Sequence, residues 1–309
     1  MGGNSAERNI SLETGQAILD ALIRKKINAC AIDATNNFVN ELIQGQFDRV
    51  FIALHGTQGE DGCVQGVLEC LGIPYTGSGV AASALAMDKA RTKLVLDGLG
   101  LPTPPFGIAY HLSQAERIAQ SIGCPLAVKP ISEGSTIGGS KVTHLDELPK
   151  AFKNARDYGP VLIERWINGI DMFVSILYDQ ALPSVQVKPA SGIYDFKAKY
   201  IANDTLYLCP APLSNQQEEE IRALSKKAFY ALGCEGWGRV DLVLDDQGKF
   251  WILEVNTIPG MTSHSLVPLS AKVAGINFDD LVLGILATSM KSKTIISETQ
   301  HTNPATKAK

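Results

Sequence analysis

The sequence predicts an α/β protein made of three consecutive units, and three observations lead to that reading. Up to Asp88, short apolar runs alternate with helical patterns. A Gly- and Ser-rich loop then sits between two apolar runs, and a pair of longer apolar runs closes around a turn near the end. With 309 residues, 45% of them hydrophobic, the chain can fill two or three cores.

The first unit, 1–86, begins with a helix over 12–26, where Ala17, Ile18, Ala21 and Leu22 share one face and Ser11 is the expected N-cap. "INACAID" follows as a strand, then a helix over 38–44, and "RVFIALHG" reads as a buried strand. "EDGCVQGVLECLGIPYTG" gives a helix and a short strand. Alternation of this kind implies a parallel sheet with helices on its faces. A small-residue helix around 79–88 leads into the second unit, 87–171. There a helix over 90–99 precedes a strand over 106–109, and Ser113 with Glu116 forms a capping-box pattern before the next helix. "PLAVKP", "ISEGSTIGGS" and 141–143 read as strand, loop and strand, and a helix over 145–154 and the strand "VLIERWI" complete the unit. The third unit, 172–290, opens with strands over 173–178 and 182–189, a polar loop through Tyr200 and a strand over 206–209. A long helix over 216–232 leads to the hairpin, and two helices close the unit near Met290. Residues 291–309 have little to bury and read as a disordered tail.

Bulk properties remove several function classes. A net charge of −4 and a pI near 5.8 do not suit a nucleic-acid surface, which is normally basic. No apolar stretch approaches the roughly eighteen residues of a membrane span. "MGGNSAERN" lacks the apolar core of a signal peptide, and Ala6 stands where a myristoylation motif needs Ser or Thr. Cys30, Cys63, Cys70, Cys124, Cys209 and Cys234 form no metal-ligand spacing, so they read as reduced, mostly buried thiols of a cytoplasmic protein.

The chemistry concentrates in "WGRVDLVLDDQGKFWILEVN". The Asp245-Asp246-Gln247-Gly248 turn folds it into a hairpin. Residues i and i+2 share a strand face, so Arg239 with Asp241, and Glu254 with Asn256, converge, while Trp251, Leu253 and Val255 are expected on the other face. Singly, these are polar residues of an edge hairpin facing water. As a set they offer oxygen ligands suited to Mg²⁺, which keeps other positions for water and phosphate.

"VKPISEGSTIGGSKV" matches neither a Walker A loop nor a dinucleotide turn. A Gly/Ser loop between strands can still donate backbone N–H groups to phosphate, with Lys129 as a point charge. The alternative is a hairpin tip with a solvated lysine. In "ERWINGID", Glu164 and Asp171 could accept from an adenine amino group or ribose hydroxyls. His55 ends a predicted parallel strand, where α/β sheets bind ligands, although a lone histidine is as readily structural.

Taken in order, "GGNSAERNISL", "FIALHGTQGEDG", "PYTGSG", "AMDKARTK", "VKPISEGST", "FKAKY", "GWGRVD" and "LEVNTIPGMTSHSLVP" resemble the D-alanine–D-alanine ligases, members of the ATP-grasp superfamily. The resemblance covers 2–290. It implies a three-domain ATP-grasp architecture with an N-terminal Rossmann-like parallel sheet, a homodimer, and a cytoplasmic role in peptidoglycan precursor synthesis. It implies that ATP and D-alanine are the ligands and that Asp241, Glu254 and Asn256 hold two Mg²⁺ ions, with Mn²⁺ as a substitute. Lys89, Lys129 and Lys199, with Glu133, Glu164 and Asp171, would bind the nucleotide. Glu7, with His55 nearby, would hold the first D-alanine, and Arg239 and the Gly260 N–H would stabilise an oxyanion. Ser265 and the Leu266 N–H would take the carboxylate of the second D-alanine. Glu7, Ser135 and Tyr200 would join three loops over the closed site.

The family pattern is not matched everywhere. Many members have Glu-Lys and a later Glu around the nucleotide, whereas this chain has Glu164-Arg165 and Asp171. The family also has an apolar strand before the "GGNSAER" loop. The resemblance therefore implies that Met1 is an internal methionine and that the natural chain begins upstream. Two other readings remain at this point: a D-alanine–D-lactate ligase, against which Tyr200 argues, and a nucleotide-binding homologue without activity.

Overall fold

Ser11 is a buried member of the first helix rather than its cap. The computed structural model describes residues 1–134, 137–189, 204–262 and 265–290. In it α1 (Arg8–Arg24) starts four residues before the predicted bound of 12, with Glu7 at the N-cap. The Ser11 hydroxyl accepts from Gly2 N at 2.8 Å and donates to Ala53 O at 2.5 Å, so a polar residue inside the helix fastens the glycine loop to the 50–55 segment. Gly15 lies in the same helix, and a Cβ there would stand 2.4 Å from that of Met1. The small residue lets Met1 pack against the helix.

α2 (Phe38–Gly45), α3 (Cys63–Leu71) and α4 (Val80–Met87) follow, but the parallel sheet expected among them is not formed. One parallel bridge, Val50 to Tyr75, stands among the described residues where "INACAID" and "RVFIALHG" predicted strands, and the Rossmann-like assignment is corrected accordingly. The reason is the company these segments keep. Met1 N donates to Ile32 O (3.0 Å) and Ala34 N to Met1 O (2.9 Å), while Ser5 Oγ bonds His55 O (2.7 Å). Ile52 N donates to the Thr76 hydroxyl at 3.1 Å. Hydroxyls thus take an amide (Ile52) and a carbonyl (His55) that a ladder would use, and the bonds of Met1 are isolated backbone links.

α5 (Lys89–Gly98) is capped by Asp88, whose carboxylate accepts from Arg91 N at 2.8 Å. The second unit then forms an antiparallel sheet of β1 (Phe106–Ala109), β2 (Leu126–Pro130), β3 (Ser140–Val142) and β4 (Val161–Arg165), in the order β1-β4-β2-β3. α6 (Leu112–Ile122) is capped at His111, whose N–H donates to Gln114, so the Ser113/Glu116 capping expectation is corrected by two residues. A short 3₁₀ turn (Leu145–Glu147) precedes α7 (Leu148–Arg156). Both helices cover the sheet, closing a core that includes Ala115, Ala119, Leu126, Val128, Phe152 and Ile163.

The third unit is a larger antiparallel sheet. It comprises β5 (Gly169–Leu177), β6 (Gln180–Ala181), β7 (Val185–Lys188), β8 (Leu206–Leu208), β9 (Trp237–Asp245) and β10 (Phe250–Asn256). The order is β10-β9-β5-β7-β8, with β6 on β5. α8 (Asn215–Ala231) has a Ser214 capping box, as Ser214 Oγ accepts from Gln217 N at 3.2 Å. α9 (Leu266–Val273) and α10 (Phe278–Ala287) turn back to the first unit. There Ile18, Ala21 and Leu22 of α1 share one core with Val267, Leu281, Val282 and Ile285. The first and third units are thus packed together; the four-stranded sheet keeps its own core with α6 and α7, while Leu96 of α5 joins the core of the third unit.

Among the described residues, no helix is long and apolar enough to cross a membrane. The cysteines depart from expectation, because Cys30, Cys63, Cys70 and Cys124 are exposed and Cys234 alone is buried. Cys63 and Cys70 lie seven apart on α3, on the face opposite buried Val64 and Leu68. The tail 291–309 lies outside the described residues.

Candidate active site

β9 and β10 pair as the sequence predicts, Glu254 with Asp241 and Asn256 with Arg239, yet the pairing slips by one residue between Ile252 and Glu254. Leu253 is the extra residue of a β-bulge. Up to Ile252, the even positions Phe250 and Ile252 enter the core, and strict alternation would send Glu254 after them. The bulge resets the phase, so that Val255 takes the next core position and Glu254 turns outward. Leu253 therefore lies on the side of Glu254, which corrects the expected split of the strand. Glu254 and Leu253 both line a cleft of about 470 Å³ between the two sheets.

The same cleft is lined by Lys89, Lys129, Glu133, Glu164, Asp171 and Asp241, each singled out from sequence. Lys89, the first residue of α5, donates to Glu133 O at 2.8 Å and pairs with Glu254 at 3.2 Å. Arg239 chelates Asp241 through Nε (2.6 Å) and Nη2 (2.8 Å), and its guanidinium stands 5.4 Å from the Phe173 ring centre. Lys129 Nζ lies 2.6 Å from Glu164 Oε1, and Lys93 Nζ lies 2.7 Å from Oε2. Burial alone would raise the Glu164 carboxyl, but Lys129 and Lys93 outweigh it and hold it down to about 2. The lining pairs Lys89, Lys129, Lys141 and Arg165 with Glu133, Glu164, Asp171, Asp241 and Glu254, so the cleft carries both signs, with lysines for phosphate and carboxylates for a cation.

The donor set fits a hard cation. Asp241 and Glu254 are register partners, and the amide nitrogen of buried Asn256 has no hydrogen-bond partner. Which end of that amide is oxygen is an assignment, so one end of Asn256 is left for a ligand in either orientation. Among the described residues, no group of three or more His, Cys, Asp or Glu side chains could hold a metal, so a cation here would rely on two carboxylates, the amide and ligand oxygens.

The residues that the resemblance assigns to the two amino acids lie around α1 and α9. Glu7 is buried, and its Oε2 would stand 2.9 Å from a Cβ on Gly56 and 3.0 Å from one on Gly134. The two glycines let the carboxylate sit between the first unit and the Gly/Ser loop. His55 has both ring nitrogens engaged, Nδ1 with Ile258 O (3.0 Å) and Nε2 with Thr14 Oγ1 (3.1 Å). Burial lowers its pKa, so it is a neutral pin joining α1 to the 256–261 segment. Ser265 caps α9, and its Oγ accepts from Thr262 N at 2.9 Å and would touch a Cβ on Gly260 at 3.0 Å. Leu266 opens that helix, where first-turn N–H groups favour an anion. Ser135, Lys199 and Tyr200 lie outside the described residues.

Sequence reasoning passed over two groups. Lys93 is fully buried on α5, one turn after Lys89, where Ala90 and Leu96 mark the apolar face. Glu60, inside "HGTQGEDG", accepts from Gly56 N at 2.7 Å, and burial together with Glu7 pushes its carboxyl up to about 8.

With this geometry in hand, the comparisons are consistent. The family model described as D-ala D-ala ligase C-terminus matches residues 95–287, and that of the N-terminus matches 39–78. A D-alanine–D-alanine ligase of Pseudomonas putida (strain GB-1) is 49% identical over 94% of this chain and 92% of its own length. One of Nitrosococcus oceani is 49% identical over 95% and 93%. The crystal structure of the Bacillus anthracis D-alanine–D-alanine ligase superposes with a TM-score of 0.82 at 34% identity, covering 94% of this chain and 95% of that one. The same enzyme complexed with ATP gives 0.82 at 32%. A mixed α/β chain with two antiparallel sheets, a cleft between them lined by lysines and carboxylates, and relatives at this identity over nearly its whole length belongs to the D-alanine–D-alanine ligase family.

Proposed function

We propose that this chain joins two molecules of D-alanine at the expense of ATP, through an acyl phosphate, to supply D-alanyl-D-alanine for peptidoglycan precursors in the cytoplasm. The observation that carries this reading is the cleft in which Lys89, Lys129, Asp241 and Glu254 converge from four different elements.

ATP lies between the two sheets, with Lys89 and Lys129 against its phosphates and the loop from Glu133 over them. Asp171 faces the ribose across one methylene less than glutamate offers. Both oxygens of Glu164 face lysines, so its part is to hold Lys129 rather than to meet the base. Mg²⁺, or Mn²⁺ in its place, held as two ions by Asp241, Glu254 and Asn256, supplies neutralisation of charge on the β- and γ-phosphates.

Glu7 receives the ammonium of the first D-alanine. The carboxylate oxygen of that D-alanine bonds to the γ-phosphorus as the bond to the β-phosphate oxygen breaks, releasing ADP and leaving D-alanyl phosphate. The amine of the second D-alanine, held by Ser265 and the Leu266 N–H, then attacks the acyl carbon. Arg239 and the Gly260 N–H stabilise the oxyanion, inorganic phosphate leaves, and the amine proton goes to solvent or phosphate. Ser135, Tyr200 and Lys199 take the family roles given above, in a homodimer.

Purified protein with ATP, Mg²⁺ and D-alanine, with and without D-lactate, is assayed by mass spectrometry. D-alanyl-D-alanine with stoichiometric ADP is the expected product. A depsipeptide as main product, or no ligation with ATP still bound, overturns the reading. Tyr200→Phe should raise the depsipeptide share, because the hydroxyl contact that the family role implies for Tyr200 would be lost, an effect of ~1–3 kcal/mol.

A further inference from the structure

We infer that Lys93 is a positioning residue that keeps Lys129 available to the nucleotide and ties it to the hairpin carrying Glu254. This rests on the nucleotide site proposed above and extends it to a side chain that cannot reach the nucleotide itself, being 0% exposed.

Two arms meet at the Lys93 ammonium. In one, its Nζ stands 2.7 Å from Glu164 Oε2, while Lys129 Nζ takes the other oxygen at 2.6 Å. In the second, it donates to Thr103 Oγ1 at 2.5 Å, and the Thr103 hydroxyl donates to Ile252 O at 3.0 Å. Ile252 N in turn donates to Pro102 O at 2.8 Å. Ile252 is the last paired residue before the bulge that turns Glu254 into the cleft. A chain of contacts therefore runs from the sheet of the second unit, through α5 and the 102–103 segment, to the β10 edge of the larger sheet.

The charge count gives the first arm its purpose. One carboxylate between two ammonium groups leaves a surplus of one positive charge. Only Lys129, with a side chain 21% exposed, opens on the cleft. If Lys93 were apolar, Glu164 and Lys129 would form a neutral closed pair, and the cleft would lose that surplus. Removing Glu164 as well would restore it. The second arm has a different task. The Thr103 hydroxyl holds the Ile252 carbonyl, and with it the place where the bulge begins.

The test uses the full chain and three variants: Lys93→Met, Lys93→Met with Glu164→Gln, and Thr103→Val. ATP binding is measured calorimetrically, and KM for ATP, KM for D-alanine and half-saturating Mg²⁺ are measured in the ligation assay. Lys93→Met should weaken ATP by about tenfold, roughly 1.4 kcal/mol, with KM for D-alanine within about twofold of wild type. The double variant should bind ATP more tightly than Lys93→Met does, a recovery that a merely space-filling lysine would not produce. Thr103→Val should raise half-saturating Mg²⁺ several-fold and leave metal-free ATP binding unchanged. If Lys93→Met binds ATP as wild type does, or the double variant is weaker still, the inference fails while the nucleotide site stands. Should Lys93→Met not fold, the Thr103→Val result decides, and an unchanged Mg²⁺ requirement overturns the coupling. Wild-type protein that binds no ATP would overturn the nucleotide site itself.

Discussion

Glu254 and Glu60 are both carboxylates, set in different surroundings. Glu254 faces Lys89 at 3.2 Å and opens on the cleft. Glu254→Gln keeps the volume and removes the charge. Ligation should fall by roughly 10²–10³-fold, with the far-UV spectrum and melting midpoint little changed; near-normal turnover at moderate Mg²⁺ would sink the metal role. Glu60 is held protonated up to about 8, by burial first and by Glu7 second. Its folded pKa lies above the ordinary 4.5, so its stabilising share is complete below about 4.5 and is lost as pH rises toward about 8. Glu60→Gln should flatten the pH dependence of the melting midpoint across that window, and an unchanged slope would show that another group sets it. At this scale the sequence was readable where spacing carries chemistry. Arg239, Asp241, Glu254 and Asn256 follow from a period of two on either side of a turn. Lys93 and Glu60 do not, because a helix lysine and a loop glutamate have the composition of solvated surface until packing surrounds them.

The hairpin illustrates how an element can be legible while its decisive detail is not. Both strands and the turn follow from apolar runs around Asp-Asp-Gln-Gly, but one unpaired leucine leaves no mark in composition. In the first unit, by contrast, apolar runs predicted strands that side-chain hydrogen bonds replace, and a serine before an apolar helix face had the signature of a cap. Strand β9 adds its own constraint. A Cβ on Gly238 would lie 2.6 Å from Phe229 Cε2 and 2.7 Å from Asn256 O. Neither neighbour can yield without moving α8 or the ligand-bearing strand. Gly238→Ala should cost ~1–3 kcal/mol by chemical denaturation and lower ligation further by displacing Asn256. A variant as stable and active as wild type would mean that the hairpin bends there at no cost.

Across the whole molecule, stability is shared unequally between apolar and charged contacts. α1 meets α10 through buried Leu22, Leu281 and Ile285, with Arg24–Asp279 and Lys25–Asp280 ion pairs at the rim. Leu281→Ala should cost ~2–5 kcal/mol, whereas Arg24→Ala, at an exposed pair, should cost under ~1 kcal/mol. Denaturation midpoints in the reverse order would show that the rim, not the core, joins these units. Hydrogen exchange should find α1 and α10 opening together, while β1–β4 open on their own. The shared core also has a consequence for synthesis. Arg24 and Asp279 stand 255 residues apart in the chain, so α1 leaves the ribosome long before the helices that cover it exist. The four-stranded sheet with α6 and α7 has its core once β4 is made, whereas the first unit must wait, its apolar face bare, until α10 has been made.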